Sequence, residues 1–278
     1  MTTGNVRPKK ALGQHFLTDT SIARRIADTI TAAELPAGES AWGSMPILEV
    51  GPGMGVLTQY LLAQGRPMAA VELDSESIGY LHKAMPQLDV IDADFLKLDL
   101  SGLFDGSQFA LIGNYPYNIS SQIFFKLLDN RERIPVCAGM LQREVAQRIC
   151  AGPGSKVYGI LSVLLQAWYD CEYLFSVDPG VFNPPPKVVS GVVRLVRNGR
   201  KELGVDERMF KAVVKQSFGQ RRKTLRNSLS PMIAKGAPLL QTEIMKKRPE
   251  QLSVEEFIDL TRLVAASHAP QSDQTDPL

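Results

Sequence analysis

Ile47-Leu48-Glu49-Val50-Gly51-Pro52-Gly53-Met54-Gly55 is the stretch on which the fold turns. A short apolar strand runs into three glycines at alternate positions, and Met54 to Gln64 then reads as a helix. Outward from there, Met68–Leu73 reads as a second strand, Ser75–Met85 as a helix and Asp89–Ala93 as a third strand. Phe109–Gly113 is a fourth, closed by Asn114-Tyr115-Pro116-Tyr117. Strands alternating with helices at this spacing predict a parallel sheet covered on both faces. Upstream, Ile22, Ile26 and Ile30 recur every fourth residue from Ser21, an amphipathic helix, and a Pro/Gly/Ser-rich loop spans Pro36 to Pro46. Downstream lie apolar stretches at 134–141 and 160–169, then Pro184-Pro185-Pro186 ahead of a β-rich Val188–Val196. After Arg197 only helical patterns remain, ending in a Ser253/Glu256 capping box. The expected class is α/β, with one domain over residues 1–198, a small all-helical domain over 199–268 and a disordered tail over 269–278.

Composition narrows the function classes. The 278 residues are 44% hydrophobic and 22% charged, ordinary for a globular protein. No apolar run approaches the length of a membrane span and no signal segment is evident. Cys137, Cys150 and Cys171 are odd in number and far apart, and His15, His82 and His268 are scattered, so no metal site is expected. A reducing cytoplasm is the default compartment. The net charge of +2 hides an asymmetry, because residues 197–268 carry 15 Lys+Arg against 8 Asp+Glu. That balance suits a polyanion-facing module as well as it suits a solvated helical surface.

Glycines at 51, 53 and 55 let the chain turn tightly and let a ligand lie against the main chain. The dinucleotide pattern G-x-G-x-x-G is absent, since Val56 stands at its third glycine position, and this loop suits a cofactor without phosphate. Glu72 ends the next strand, where a carboxylate can accept from both ribose hydroxyls. Asp94 follows the third strand, placed to accept from an adenine amine. The set specifies adenosine without phosphates, and S-adenosylmethionine fits best. Each piece alone is commonplace; Glu72 beside Asp74 is otherwise a surface acid.

Asn114-Tyr115-Pro116-Tyr117 sits at the carboxyl edge of the sheet, where ligands of open α/β folds bind. It suits methylation of an amine on a planar ring, whose lone pair is delocalised. The Asn114 side-chain oxygen and a main-chain carbonyl held by Pro116 can accept from that amine and aim its lone pair at a sulfonium methyl. Tyr117 offers a stacking face for an extruded base. Phe182, ahead of the proline loop, is a candidate second face or else a core phenylalanine. No general base is needed, because the nitrogen becomes acidic only after transfer.

Arg221, Arg222, Lys223 and Arg226 crowd six positions, with no acid between Glu207 and Lys235. Read as one helix, Arg222 and Arg226 share a face suited to phosphates. Near the start, Arg7, Lys9 and Lys10 form a basic arm able to grip RNA or to cover the site.

These residues resemble the small-subunit ribosomal RNA adenine dimethyltransferases. The resemblance runs from about Lys10 to Val264 on LGQHFL (12–17), Glu49–Gly55, Val71–Asp74, Gly113–Ser120, Phe182–Ser190, FGQRRKTLRNSL (218–229) and Arg248–Ser253. It implies a Rossmann-like, S-adenosylmethionine-dependent domain with a small helical domain behind it. It implies two methyl transfers to each of two adjacent adenines near the 3′ end of small-subunit rRNA, in an immature small ribosomal subunit. Carried onto matching positions, cofactor contacts involve His15, Leu17, Gly51, Glu72, Asp94 and Asn114, with Gly53 and Gly55 completing the loop. A monomer without metal or membrane partner is expected. Two departures are visible: Tyr115 stands where the family has leucine, expected to flank the base pocket, and Val189 where it has aspartate. The competing readings are a large-subunit rRNA methyltransferase of the antibiotic-resistance type, a non-catalytic assembly factor on the same scaffold, and a DNA adenine methyltransferase.

Overall fold

The computed structural model describes residues 6–9, 12–37 and 41–267. Lys10, His268 and the 269–278 tail lie outside the described residues. The chain forms two compact units, one made of Met1–Cys150 with Trp168–Asn198 and the other of Ala151–Ala167 with the chain from Gly199 onward.

In chain order the first unit holds β1 (Phe16–Leu17), α1 (Thr20–Asp28), β2 (Ile47–Val50), α2 (Thr58–Leu62), β3 (Met68–Glu72) and α3 (Ser75–Ala84). There follow β4 (Asp89–Asp92), β5 (Ala110–Asn114), α4 (Ser120–Asp129), β6 (Val136–Gln142) and α5 (Arg143–Cys150). The chain leaves for α6 (Ile160–Gln166) of the second unit and returns as β7 (Tyr169–Val177), β8 (Phe182–Asn183) and β9 (Ser190–Arg197). Seven strands form one sheet in the order β4-β3-β2-β5-β6-β9-β7. The first five are mutually parallel, and β9 is antiparallel to both neighbours. This is the Rossmann-like arrangement. The chain order reverses between β2 and β5, which opens a crevice at their carboxyl ends.

β2 is buried along its whole length and β5 along all but Asn114, as strands covered on both faces must be. The main core joins Ile47, Ala110, Ile112, Val136 and Ala138 of the sheet to Ala23, Ile26 and Ala27 of α1. α1 is capped by Asp19, whose carboxylate accepts from Ser21 N at 2.8 Å and Ile22 N at 3.2 Å. The expected helix over 54–64 is regular only from Thr58. Gly53 and Gly55 take positive φ (55° and 76°), and the chain reaches helical geometry only after them. β7 went unread in the sequence, although Tyr169, Cys171 and Tyr173 alternate with the exposed Asp170 and Glu172 as in a strand with one solvated face. Its position at the sheet edge allows that.

The second unit is helical among the described residues: α6, α7 (Glu207–Gly219), α8 (Leu225–Ser228), α9 (Val254–Ala266) and several 3₁₀ turns. Its centre is aromatic. Phe218 lies edge-on to Tyr158 at 6.1 Å and stacks on Phe257 at 5.8 Å. The predicted box at α9 is present, Glu256 N donating to Ser253 Oγ at 3.1 Å and Ser253 N to Glu256 Oε2 at 2.8 Å. A boundary at 198 assigned 151–167 to the first unit; packing places that segment with the second, since Tyr158 belongs to this aromatic centre. Element type changes at 198, and packing does not follow that change.

Candidate active site

A cavity of about 1010 Å³ opens at the carboxyl ends of β2, β3 and β5. Its floor is the 50–54 turn. Gly51 N donates to Val71 O at 2.9 Å, tying the turn to β3. A Cβ on Gly53 would lie 2.9 Å from the Phe16 ring, so the aromatic closes directly over the turn. Gly55 is a correction to the cofactor set: it does not line the cavity. A Cβ there would meet the Met85 side chain at 2.5 Å, so this glycine serves packing against the segment after α3.

Glu72 is buried at the end of β3 with its carboxylate in the cavity wall. Its Oε2 accepts from Gly53 N at 3.1 Å, and its Oε1 from Leu73 N at 2.8 Å and Asp74 N at 2.9 Å. Three amides thus hold the carboxylate rigidly while leaving acceptor capacity for hydroxyls. Asp94, just past β4, accepts from Leu96 N at 2.9 Å and lines the cavity beside Phe95 and Leu96. Glu49 also faces this space and was not singled out. Burial pushes its carboxyl up to about 8, opposed by the Thr58 hydroxyl (2.7 Å) and reinforced by the charge of Glu72. A carboxylate inside an apolar strand was the available signal.

Two carboxylates, Glu72 and Asp94, therefore line the cavity beside the largely protonated Glu49, and among the described residues Arg7 is the one side chain of fixed positive charge there. A pyrophosphate would be repelled there, whereas a sulfonium and an ammonium are attracted. Among the described residues, no group of three His, Cys, Asp or Glu is placed to hold a metal ion.

Asn114 ends β5 at the opposite wall. Its Nδ2 donates to the His15 carbonyl at 3.1 Å, which turns its oxygen into the available acceptor. His15 Nδ1 donates to Pro184 O at 2.8 Å, and its ring stacks on Tyr117 at 5.6 Å and 30°. Pro116 and Tyr117 line the cavity, and Leu17 closes it from below. Two expectations on this side are corrected. Phe182 is 4% exposed, belongs to the core and does not line the cavity, because pairing of β8 with β1 sets it opposite Leu17. The Tyr115 side chain does not shape the pocket through a free face: it is buried beneath the sheet end, its hydroxyl donating to Ala138 O at 2.8 Å. Val189 contributes its carbonyl, which accepts from Arg143 N at 3.0 Å, and this contact is indifferent to the missing aspartate.

The basic residues divide. The Lys9 ammonium pairs with Asp74 and, at 3.1 Å, with Glu76, which raises its pKa. Gln14 Nε2 joins it on Asp74 at 3.3 Å. Burial alone would raise the Asp74 carboxyl, but the hydrogen bonds from Lys9, Gln14 and Ser77 outweigh it and hold the group below the usual range. Of the arm's described residues, Arg7 lines the cavity and Lys9 is tied to the acids that follow β3. Arg221 donates to Ser155 O at 3.2 Å and is half-buried. Arg222 and Lys223 are exposed in the turn after α7, and Arg226 is exposed on α8, which starts only at Leu225. The single helical face expected for Arg222 and Arg226 is therefore not formed, since the helix breaks between Gly219 and Thr224.

A family model described as ribosomal RNA adenine dimethylase matches residues 5–266. The chain belongs to that family. It is 61% identical over 265 residues to a Parabacteroides distasonis protein named ribosomal RNA small subunit methyltransferase A, covering 95% of this chain and 96% of the relative. A Bacteroides thetaiotaomicron protein of the same name is 59% identical over 261 residues, covering 93% and 94%. Among solved structures, a Plasmodium falciparum dimethyladenosine transferase shares the fold with a TM-score of 0.71 at 24% identity, over 88% of this chain and 96% of that one. The 23S rRNA methyltransferase ErmE superposes with a TM-score of 0.62 at 26% identity, over 90% and 99%. This rRNA adenine dimethylase uses S-adenosylmethionine, and its acidic, glycine-floored cavity fits that molecule. Among the described residues, no helix is long and apolar enough to cross a membrane.

Proposed function

We propose that this dimethylase acts as a cytoplasmic monomer on an immature small ribosomal subunit, modifying two adjacent adenines near the 3′ end of its rRNA. The observation that carries the reading is the pairing of Asn114 with His15, which leaves an acceptor oxygen at the end of β5 in the cavity that Tyr117 also lines. The names of the relatives at 61% and 59% identity support the small subunit. When bound, S-adenosylmethionine supplies an electrophilic methyl on a sulfonium. Glu72 and Asp94 hold the adenosine, while Gly51 and Gly53 let it approach the main chain. Asn114 Oδ1 and the Tyr115 carbonyl, fixed by Pro116, accept from the amine and orient its lone pair. Tyr117 stacks on the extruded base, with Arg222, Lys223 and Arg226 on the RNA backbone. Holding nucleophile and methyl in line is worth about 7–11 kcal/mol at best.

The test offers tritiated S-adenosylmethionine to undermethylated small subunits, mature small subunits and large subunits, with nucleosides identified after digestion. Label in dimethyladenosine from undermethylated small subunits alone is expected. Label on large subunits would move the protein to the ErmE-like reading. Intact cofactor binding with no label on any particle would leave an assembly factor.

A further inference from the structure

The Tyr117 ring is held from two sides, and neither restraint belongs to the tetrad itself. Ser190, the first residue of β9, is fully buried and lies opposite Gln142 of β6 and Val177 of β7. Strand pairing on both sides fixes its backbone. Its Oγ lies 2.5 Å from the Tyr117 hydroxyl. Burial raises the phenol pKa, with the Ser190 contact opposing it only in part, so the hydroxyl stays protonated at working pH. Against one face of the ring stands His15, whose carbonyl also takes the Asn114 amide.

The terminal torsion of a tyrosine is soft, and Tyr117 is only half-buried. A hydrogen bond at the far end of the ring removes that freedom. Here it ties the stacking face to the sheet whose end also carries Asn114. Small misplacements of a bound reactant are costly in rate. We propose that Ser190 is a positioning residue for the methyl transfer. Its hydroxyl fixes the tilt of the Tyr117 ring, so that a base resting on that ring presents its amine to Asn114 Oδ1. The proposal rests on the reading that Tyr117 stacks on the target base.

The test measures kcat, both KM values and cofactor Kd for full-length Ser190→Ala, Tyr117→Phe, the double variant and Tyr117→Ala, on undermethylated small subunits. Tyr117→Phe keeps the ring and removes only the hydroxyl. Ser190→Ala and Tyr117→Phe should each lower kcat about 5-fold, the scale of one neutral hydrogen bond, with cofactor Kd unchanged. The double variant should be no slower than either single one. Wild-type kcat in Tyr117→Phe, or losses that multiply to about 25-fold, would overturn the proposal. If Ser190→Ala fails to fold, Tyr117→Phe alone decides it. Tyr117→Ala separates the two layers: wild-type rates there sink the stacking reading itself. A dead Tyr117→Ala beside a fully active Tyr117→Phe sinks only the role of Ser190.

Discussion

The cavity of the first unit and the basic segment at 218–229 of the second were both expected to bind, and they are built in opposite ways. In the cavity each functional group is immobilised: three amides grip Glu72, and His15 grips Asn114. In the basic segment Arg222, Lys223 and Arg226 are exposed on a turn and a one-turn helix. Fixed groups suit a small ligand and a reaction coordinate. Exposed cations suit a partner whose phosphates are many and interchangeable.

The difference can be tested by removing one group at a time. Asn114→Ala should break the cavity outright, lowering transfer at least about 100-fold while cofactor affinity, measured by calorimetry, falls only modestly. Wild-type turnover would end the role assigned to Asn114. Neutralising Arg222, Lys223 and Arg226 together should leave kcat intact and weaken RNA binding. The slope of log affinity against log salt should flatten by about 2, at roughly 0.7 per phosphate contact; an unchanged slope would make that surface merely solvated. Lys9→Met tests which of the two regions Lys9 serves. It should raise cofactor Kd a few-fold and leave the salt slope of RNA binding alone, and the reverse pattern would restore it to RNA.

The smallest expected effect concerns pH. The Glu49 carboxyl is raised in the fold from 4.5 to about 8, so the folded state holds a proton that the unfolded chain has lost between those values. Stability of the cofactor-free protein should therefore decline as pH rises from about 5 to about 8, and Glu49→Gln should flatten the decline in melting temperature. A decline unchanged in that variant would assign it to other groups.

The same contrast explains what could be read from the chain. β2, its glycine turn and the acids at 72 and 94 were legible because a strand buried on both faces has one composition and its end has one location. Local signals sufficed. The Lys9–Asp74 pair was not legible, because Asp74 lies 65 residues away and nothing near Lys9 announces it. Phe182 depended on the register of a two-residue strand against Leu17, which no periodicity encodes. Arg222 and Arg226 were given helical spacing across a turn that their own sequence does not mark. Ser190 carried no signal beyond its place in the Phe182–Ser190 segment, since a serine inside a β-rich run is ordinary until Tyr117 is folded against it.

Tyr115 carries a consequence for how such a chain can change. A Cβ on Gly113 would meet Val50 O at 2.5 Å and the Tyr115 ring at 3.1 Å. One on Gly139 would meet Gly113 O at 2.3 Å and the same ring at 2.6 Å. Main-chain crowding already demands glycine at both sites, and the ring occupies the trench they leave. Tyrosine at 115 therefore depends on glycine at both 113 and 139. A side chain at either glycine would press on main-chain oxygen and on the ring together, so the three positions behave as one unit held by its glycines.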